Sequence, residues 1–231
     1  MLGQSILPLQ ISYICAKQIA MDRSVLSFIF RNFSREKAEK CADEMLSDFQ
    51  RMYFARYYAN PFPLRRSAVM ILLFVRDGRL KTIMIERTDI GVHAGQISFP
   101  GGKAEPSDAD SIETAIRETM EEIGVRVRRE DVIGDLPSVK VPVSKFEIFP
   151  VVAFVDEVGD FKKSESEVKK VLEVDVEDMR ASLGNRVVTA AGKQYEVPSF
   201  LCGNSVVWGA TAMIVAEMFG VMADAVWLTP S

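Results

Sequence analysis

A pair of glycines, followed one loop later by an acidic helix, dominates the middle of this 231-residue chain. The start signal Asp110 and the stop signal Gly124 predict a helix over residues 112–123. Three carboxylates occur at helix positions i, i+3 and i+4: Glu118, Glu121 and Glu122. At about 100° per residue these positions lie on one face, opposite a largely apolar one. The three acids are therefore expected to share a single surface.

Three carboxylates so close together repel one another, and each like-charge pair on a helix costs about 0.2–0.5 kcal/mol. One explanation is a solvated acidic face that Arg117 relieves. The other is a hard divalent cation, Mg²⁺ or Mn²⁺, which takes oxygen ligands and often binds substrate phosphates at the same time. The preceding Gly101 and Gly102, which allow a close approach of the backbone, favour the second explanation.

The hydrophobic pattern elsewhere predicts an α+β fold in which a mixed β-sheet lies between α-helices. Apolar and alternating runs predict strands at residues 67–75, 80–85, 146–155 and 194–201. Asp77 and Gly78 predict a tight hairpin turn between the first two strands, because Gly tolerates the positive φ that such turns need.

Helical periodicity predicts two helices within residues 22–58, and an apolar run predicts a buried helix at residues 208–222. A short charged helix or turn is predicted at residues 165–172. We therefore expect a helical extension over residues 1–62 and an α+β domain over residues 63–231.

The charge balance argues against generic binding to nucleic acid, because 28 Lys and Arg face 32 Asp and Glu, for a formal net charge of −4. No window reaches the roughly 20 uninterrupted apolar residues that a membrane span requires. The scattered cysteines, Cys15, Cys41 and Cys202, suit neither a disulfide framework nor a zinc site. A reducing, cytoplasmic compartment is the expectation.

Residues 117–125, RETMEEIGV, resemble the second half of the Nudix box, whose pattern ends R-E-U-x-E-E-x-G-U with U an aliphatic residue. Thr119 stands where that pattern has an aliphatic residue, and the segment from Gly102 to Arg117 is one residue longer than usual. Asp108 is the nearest match to the early glutamate of the box, with Glu105 or Asp110 as substitutes.

The flanking residues 87–102, RTDIGVHAGQISFPGG, resemble the signature of the coenzyme A pyrophosphatase branch of this family. The spacing from Arg87 to His93 is one residue shorter than in that signature, and the basic residue expected between them is absent. The wider resemblance extends over residues 67–222.

The resemblance implies a Mg²⁺- or Mn²⁺-dependent hydrolase with a Nudix fold. It implies that Glu118, Glu121 and Glu122 bind the metal and take part in catalysis, with the Gly101 carbonyl as a possible backbone ligand. Arg117 is expected to point away from the metal and to hold the loop through Asp108.

The resemblance also implies roles for residues outside the helix. Glu167 could be an additional catalytic glutamate or part of a solvated face. Arg87 could reach a 3′-phosphate of the substrate or form a surface salt bridge. His93, the one histidine of the chain, could shape the loop, contact phosphate or act as a base, and Gly102 is expected beside the substrate.

Two aromatic residues, Phe146 and Phe149, could stack on an adenine, but core packing is the preferred interpretation. The implied reaction is hydrolysis of the pyrophosphate of coenzyme A or acyl-CoA to 3′,5′-ADP and 4′-phosphopantetheine or its acyl form. There are two alternatives. The first is hydrolysis of another nucleoside diphosphate derivative, such as ADP-ribose or NADH. The second is a binding module that senses a nucleotide without cleaving it. The helical extension is expected to pack on the domain or to form a homodimer interface.

Overall fold

The computed structural model of the chain describes residues 22–36, 39–40, 63–89, 94–141, 144–190 and 192–225. Within these segments, no helix is long and apolar enough to cross a bilayer. The described elements form a mixed β-sheet with helices on both faces and a smaller antiparallel sheet beside it. This arrangement confirms the α+β class with a mixed sheet between helices.

The main sheet is built around two long strands that separate halfway. In the described residues it contains β1 (Arg65–Arg76), β2 (Arg79–Arg87), β3 (Ile97–Ser98), β4 (Gly101–Lys103), β5 (Val132–Asp135), β6 (Val139–Val141), β7 (Phe146–Phe154) and β8 (Val168–Asp175). The end of β1 pairs with the start of β2, whereas the start of β1 pairs with β4 and the end of β2 with β3. The chain between β3 and β4 therefore crosses from β2 to β1 where these strands diverge.

The other edges complete a mixed sheet. The strand β7 runs parallel to β1 along almost its whole length and pairs antiparallel with β5 and β6. The strand β8 covers the free edge of β2 in antiparallel orientation. The turn between β1 and β2 has φ values of 54° at Asp77 and 70° at Gly78. Positive φ at both central residues is the geometry of a tight hairpin turn, as the sequence predicts.

Four described helices pack on this sheet: α1 (Arg23–Asn32), α2 (Ser111–Ile123), α3 (Val176–Ala181) and α4 (Gly209–Ala225). The strand β1 is apolar on both faces, and its alternating residues belong to two separate core clusters. One cluster contains Met70 and Leu72 and packs against α2. The other contains Ile71 and Leu73 and packs against α1 and α4. The predicted buried C-terminal helix is thereby confirmed.

Helix α1 shares the core of the sheet. Leu26, Ile29 and Phe30 are buried, and the backbone of Phe30 lies so close to Gly134 in β5 that a Cβ there would be 2.8 Å from the Phe30 carbonyl oxygen. The first part of the predicted extension therefore packs on the domain. Most of its second predicted helix lies outside the described residues, and the boundary between residues 62 and 63 stays a prediction.

The prediction of a short charged helix or turn at residues 165–172 is correct only for a turn at residues 165–167. The residues 165–172 do not form a short helix, because only residues 165–167 form a turn and β8 begins at Val168. Lys169 and Lys170 interrupt the apolar pattern, so hydrophobic periodicity does not predict this strand. Lysine is common on edge strands because it discourages pairing with other chains.

The smaller sheet consists of β9 (Gly184–Ala190), β10 (Lys193–Cys202) and β11 (Ser205–Val207), all antiparallel. The strand β10 confirms the strand predicted at residues 194–201. Phe200 in β10 packs against Phe219 of α4, with ring centroids 5.6 Å apart. This contact joins the smaller sheet to the main core.

Candidate active site

The crossing from β3 to β4 brings Gly101 and Gly102 against two different neighbours. Gly101 has a φ of 154°, and a Cβ there would collide with the Ala68 carbonyl oxygen and the Val69 Cα. A Cβ on Gly102 would instead lie 2.5 Å from the carboxylate of Glu118. The first glycine therefore lets β4 approach β1, and the second leaves room for a carboxylate.

Helix α2 forms where the sequence predicts it, because both of its ends are capped locally. The Asp110 side chain accepts a hydrogen bond of 3.0 Å from the Glu113 N–H. Gly124 adopts a left-handed conformation, with a φ of 72°, and its N–H donates to the Met120 carbonyl at 3.0 Å. These caps fix the register in which the acidic residues face the glycine pair.

The three carboxylates of α2 differ strongly in exposure. The Glu122 side chain is 1% exposed, that of Glu118 13% and that of Glu121 58%. The acidic surface therefore runs from a buried carboxylate next to the glycine loop to one in solvent. The sequence predicts the shared face, but only the packed structure distinguishes its members.

Glu122 is a buried carboxylate with few partners. It accepts the Gly101 N–H at 2.8 Å, and its other oxygen lies 3.5 Å from Nη1 of Arg87. Burial raises the pKa of Glu122 to about 7, while the Gly101 N–H and Arg87 oppose this rise. A cation at this position would relieve the cost of the buried negative charge.

Glu118 has a similar but weaker environment. Burial raises the pKa of Glu118, hydrogen bonding to Arg117 opposes the rise, and the charges of Glu121 and Glu167 add to it. The charges of Glu118 and Glu167 also raise the pKa of Glu122. Glu167 therefore lies close enough to both buried carboxylates for its charge to act on them.

Arg117 connects the acidic face to the preceding loop. Its Nε and Nη2 donate to the two oxygens of Asp108 at 3.1 and 3.0 Å, and Nη2 also donates to the Lys103 carbonyl. This pair holds the pKa of Asp108 well below its usual range. Asp108 is thus the partner that the sequence predicts, and neither Glu105 nor Asp110 takes its place.

Arg117 does not point away from the acidic face, as the sequence led us to expect. Its Nη1 donates to Glu118 and to Glu121, at 3.0 Å in each case. Arg117 can make both sets of contacts because a guanidinium presents donors on several sides of one plane. The expectation of an arginine directed only at the loop is therefore wrong.

The Glu167 turn is tied by its backbone to two elements of the site. The Ser164 N–H donates to the Glu122 carbonyl at 2.8 Å, and the Thr88 N–H at the end of β2 donates to the Glu167 carbonyl at 3.1 Å. The Glu167 side chain itself is exposed. These bonds hold Glu167 beside Glu122, although the two residues are 45 positions apart in the chain.

Arg87 reaches the site from β2. Its guanidinium lies 3.5 Å from Glu122, and its side chain is 36% exposed, so one side faces the buried carboxylate and the other faces solvent. This placement favours the substrate role over an ordinary surface salt bridge. His93, by contrast, lies outside the described residues.

The residues of this site fit a hard divalent cation in their chemistry but not yet in their arrangement. In the part of the chain that the structure describes, no three His, Cys, Asp or Glu side chains are grouped so that they could hold a metal ion. Glu118 and Glu121 each direct an oxygen at Nη1 of Arg117 instead. Both carboxylates therefore converge on one positive charge, and oxygen donors of this kind suit Mg²⁺ or Mn²⁺.

The model of the NUDIX domain family matches residues 64–191, more than half of the chain. The chain belongs to the Nudix family. It is a Nudix hydrolase, and it shares the family's pyrophosphatase activity toward nucleoside diphosphate derivatives, which generally requires divalent cations.

Two relatives show how far this similarity extends. An uncharacterized Nudix hydrolase, NudL of Citrobacter koseri, is 33% identical over 187 residues, which are 79% of this chain and 95% of the relative. The mitochondrial coenzyme A diphosphatase NUDT8 of Mus musculus is 36% identical over 159 residues, 67% of this chain and 71% of the relative. These two relatives are consistent with the branch that residues 87–102 indicate.

The fold agrees with a solved structure from the same family. A MutT/nudix family protein from Enterococcus faecalis superposes with a TM-score of 0.52 over 84% of this chain and 76% of its own, at 17% identity. At this identity the similarity supports only the fold of this Nudix hydrolase.

One residue that supports the site was not predicted from the sequence. The Thr114 hydroxyl is fully buried and donates to Asp108 at 2.9 Å, next to the contact with Arg117. The available signal was a polar residue on the apolar face of a helix, which has to find a hydrogen-bond partner when buried. It was weak, because the partner lies in the preceding loop.

Proposed function

We propose that this Nudix hydrolase cleaves the pyrophosphate bond of coenzyme A or acyl-CoA. The products are 3′,5′-ADP and 4′-phosphopantetheine or its acyl form. The observation that carries the proposal is the placement of Glu118 and Glu122 against the glycine pair that ends the HAGQISFPGG stretch. That stretch resembles the coenzyme A branch, and a relative named as a coenzyme A diphosphatase supports the assignment.

We assign Glu118, Glu121 and Glu122 as ligands of Mg²⁺ or Mn²⁺, with the Gly101 carbonyl as a backbone ligand. Such a cation, when bound, polarises phosphoryl oxygens and lowers the pKa of coordinated water. The chain supplies the geometry: Gly102 leaves room for the Glu118 carboxylate. Glu121 is largely exposed, so it can leave Arg117 without disturbing the core.

Arg117 and Glu167 complete the catalytic group. Arg117 keeps its bidentate pair with Asp108, which holds the loop behind the glycine pair in place. Glu167 is the exposed carboxylate whose charge reaches both buried glutamates, and we assign it a role in catalysis. Its backbone bond to Thr88 keeps it at the mouth of the site.

Arg87, His93 and Gly102 form the proposed substrate contacts. Arg87 lies beside Glu122, so its guanidinium is better placed for the pyrophosphate than for a distant 3′-phosphate. Gly102 presents backbone without a side chain next to Glu118. For His93 we propose a phosphate contact or a loop role rather than that of a base, because a bound cation already activates water.

The test is product analysis by chromatography. The purified chain is incubated with Mg²⁺ or Mn²⁺ and, side by side, with coenzyme A, ADP-ribose and NADH. Preferential release of 3′,5′-ADP from coenzyme A is the expected result. Faster cleavage of ADP-ribose or NADH would discard the coenzyme A assignment, and those substrates are the alternative within the enzyme class.

The metal assignment is tested with two substitutions in the same helix. We expect Glu121→Gln to lower hydrolysis by about 100-fold or more, because an amide is a poorer ligand for a hard cation. Glu113→Gln is the matched control, since Glu113 is exposed and lies two turns away. Full activity of Glu121→Gln would contradict the assignment. Absence of cleavage for every substrate would favour a nucleotide-binding module instead.

The remaining expectations concern partners and location. We propose a small nucleoside diphosphate derivative as the ligand, and no nucleic acid or membrane as a partner. A homodimer through the helical extension and a cytoplasmic location also remain proposals. The one described cysteine, Cys202, is buried, which raises the pKa of its thiol to about 12 and makes it unreactive.

A further inference from the structure

A cavity of about 210 Å³ lies between the start of β1 and the start of α2, outside the group of active-site carboxylates. Its walls are Arg66 and Phe149 on the sheet, the loop of residues 104–110, and Ser111 and Thr114 on the helix. None of the residues assigned to catalysis lines it. The cavity therefore needs an explanation of its own.

Arg66 supplies a positive charge to this cavity. Its guanidinium lies over the ring of Phe149, 4.6 Å from the centroid, and the side chain is exposed. Among the described residues, no carboxylate forms an ion pair with Arg66. This contact positions the guanidinium at the wall of the cavity, where its N–H groups can donate to a ligand.

Two of the three acidic residues that line the cavity are already engaged. Asp108 pairs with Arg117 and Thr114, and Asp110 pairs with Arg129 while capping α2. Glu105 is exposed and is the remaining carboxylate of the lining. No ion pair joins Glu105 to Arg66 in the described part of the chain, so the Arg66 guanidinium can bind an anion in the cavity.

The cavity is also within reach of the carboxylates. The Ala104 N–H donates to the Arg66 carbonyl, and Ala68, two residues along the same face of β1, is the register partner of Gly102. Two residues of a strand span about 7 Å. A ligand whose pyrophosphate lies at Gly102 and Glu118 can thus place a second group near Arg66.

We propose that Arg66 binds a phosphomonoester of the substrate, away from the bond that is cleaved. The inference rests on the proposed function, because coenzyme A carries such a group as its 3′-phosphate, whereas ADP-ribose and NADH do not. A guanidinium can bind a phosphate through two parallel N–H donors. Arg66 therefore selects 3′-phosphorylated substrates, and Arg87 remains with the pyrophosphate.

The experiment measures binding of 3′,5′-ADP and of 5′-AMP by calorimetry, in the wild-type chain and in two variants. We expect the wild-type chain to bind 3′,5′-ADP about tenfold more tightly than 5′-AMP. The Arg66→Ala variant should bind the two nucleotides about equally. Arg65→Ala is the matched control, because Arg65 stacks on Phe146 at 4.3 Å but belongs to the opposite face of β1. It should keep the preference.

Binding separates this proposal from the proposed function, since it does not depend on hydrolysis. A wild-type chain without preference for 3′,5′-ADP would overturn the role of Arg66, even if coenzyme A is cleaved. Equal loss of preference in Arg65→Ala would overturn it as well. Inorganic phosphate that binds through Arg66 as tightly as the bisphosphate would indicate a separate anion and contradict recognition of the substrate.

Where coenzyme A is cleaved, kinetics give a second measurement. Arg66→Ala should raise the ratio of the KM for coenzyme A to the KM for dephospho-coenzyme A about tenfold, with kcat unchanged.

Discussion

Two adjacent glycines in the active site are required for different reasons, and substitution should separate them. In Gly102→Ala the new Cβ meets the Glu118 carboxylate, the movable end of a side chain. We expect kcat to fall by about 10- to 100-fold because a ligand is displaced, with little change in stability. In Gly101→Ala the new Cβ meets the backbone of β1, so the protein should lose stability.

Thermal unfolding and hydrolysis rates of both variants measure this difference. Gly159→Ala is a suitable control, because no other atom lies within 4 Å of a Cβ at that position. Equal stabilities for Gly101→Ala and Gly102→Ala would show that the collision with the β1 backbone is relieved by movement of the loop.

The pairing of Asp108 with Arg117 should make stability depend on pH at low pH. The pKa of Asp108 is lower in the folded chain than its ordinary value of 3.8, so the carboxylate stabilises the fold fully above that value. Its contribution is lost as the pH falls from there through the lower pKa of the folded state. At pH 7 we expect the free energy of unfolding of Asp108→Asn to be about 1–3 kcal/mol lower than that of the wild type.

Urea denaturation at several pH values checks this expectation. The difference between Asp108→Asn and the wild type should stay constant from pH 7 to about pH 5 and shrink below about pH 4. A difference that grows on acidification would mean that the carboxylate is not the stabilising form.

At the scale of elements, the end of α2 is coupled to the turn that carries Glu167. A Cβ on Gly124 would lie 2.7 Å from the Lys162 Cβ, and the Lys162 N–H donates to the Ile123 carbonyl. We expect Gly124→Ala to lower the free energy of unfolding by about 1–3 kcal/mol, through the left-handed conformation and this collision. Hydrolysis should fall as well, because the turn is displaced.

The control for this substitution is Gly192→Ala, which has a similar positive φ of 74° and no other atom within 4 Å. It carries the conformational penalty alone. Chemical denaturation and hydrolysis of the two variants should therefore differ, and equal effects would show that the contact with Lys162 contributes nothing.

At the same scale, elements with strong local signals were predictable. The helix α2 has caps at both ends, and the first hairpin has its Asp-Gly turn, so both form where the sequence predicts them. The strand β8 was not predicted, because its pairing with β2 supplies the stability that its own pattern does not show. Strand formation depends on such partners more than helix formation does.

For the molecule as a whole, the described part of the N-terminal extension should behave as part of the core. Leu26 of α1 is fully buried against the sheet, so Leu26→Ala should lower the free energy of unfolding by about 2–5 kcal/mol. Phe28 on the same helix is 54% exposed, and Phe28→Ala should change it by about 0.5 kcal/mol or less. Urea denaturation of both variants measures the contrast, and similar small effects would show that α1 is dispensable for the domain.

The sequence by itself determined the family resemblance. It also determined the central strand β1, the capped acidic helix and the shared face of the helix carboxylates, because helix caps, periodicity and turn residues act over a few positions. Only the tertiary structure buries Glu122 to 1% exposure and brings Arg87 to 3.5 Å from it. Only the tertiary structure brings Glu167 close enough for its charge to act on Glu118 and Glu122. Burial and charge depend on groups that are distant in the chain and meet only when the sheet and helices pack. The same holds for the cavity at Arg66, whose walls come from β1, β7, α2 and the loop before α2.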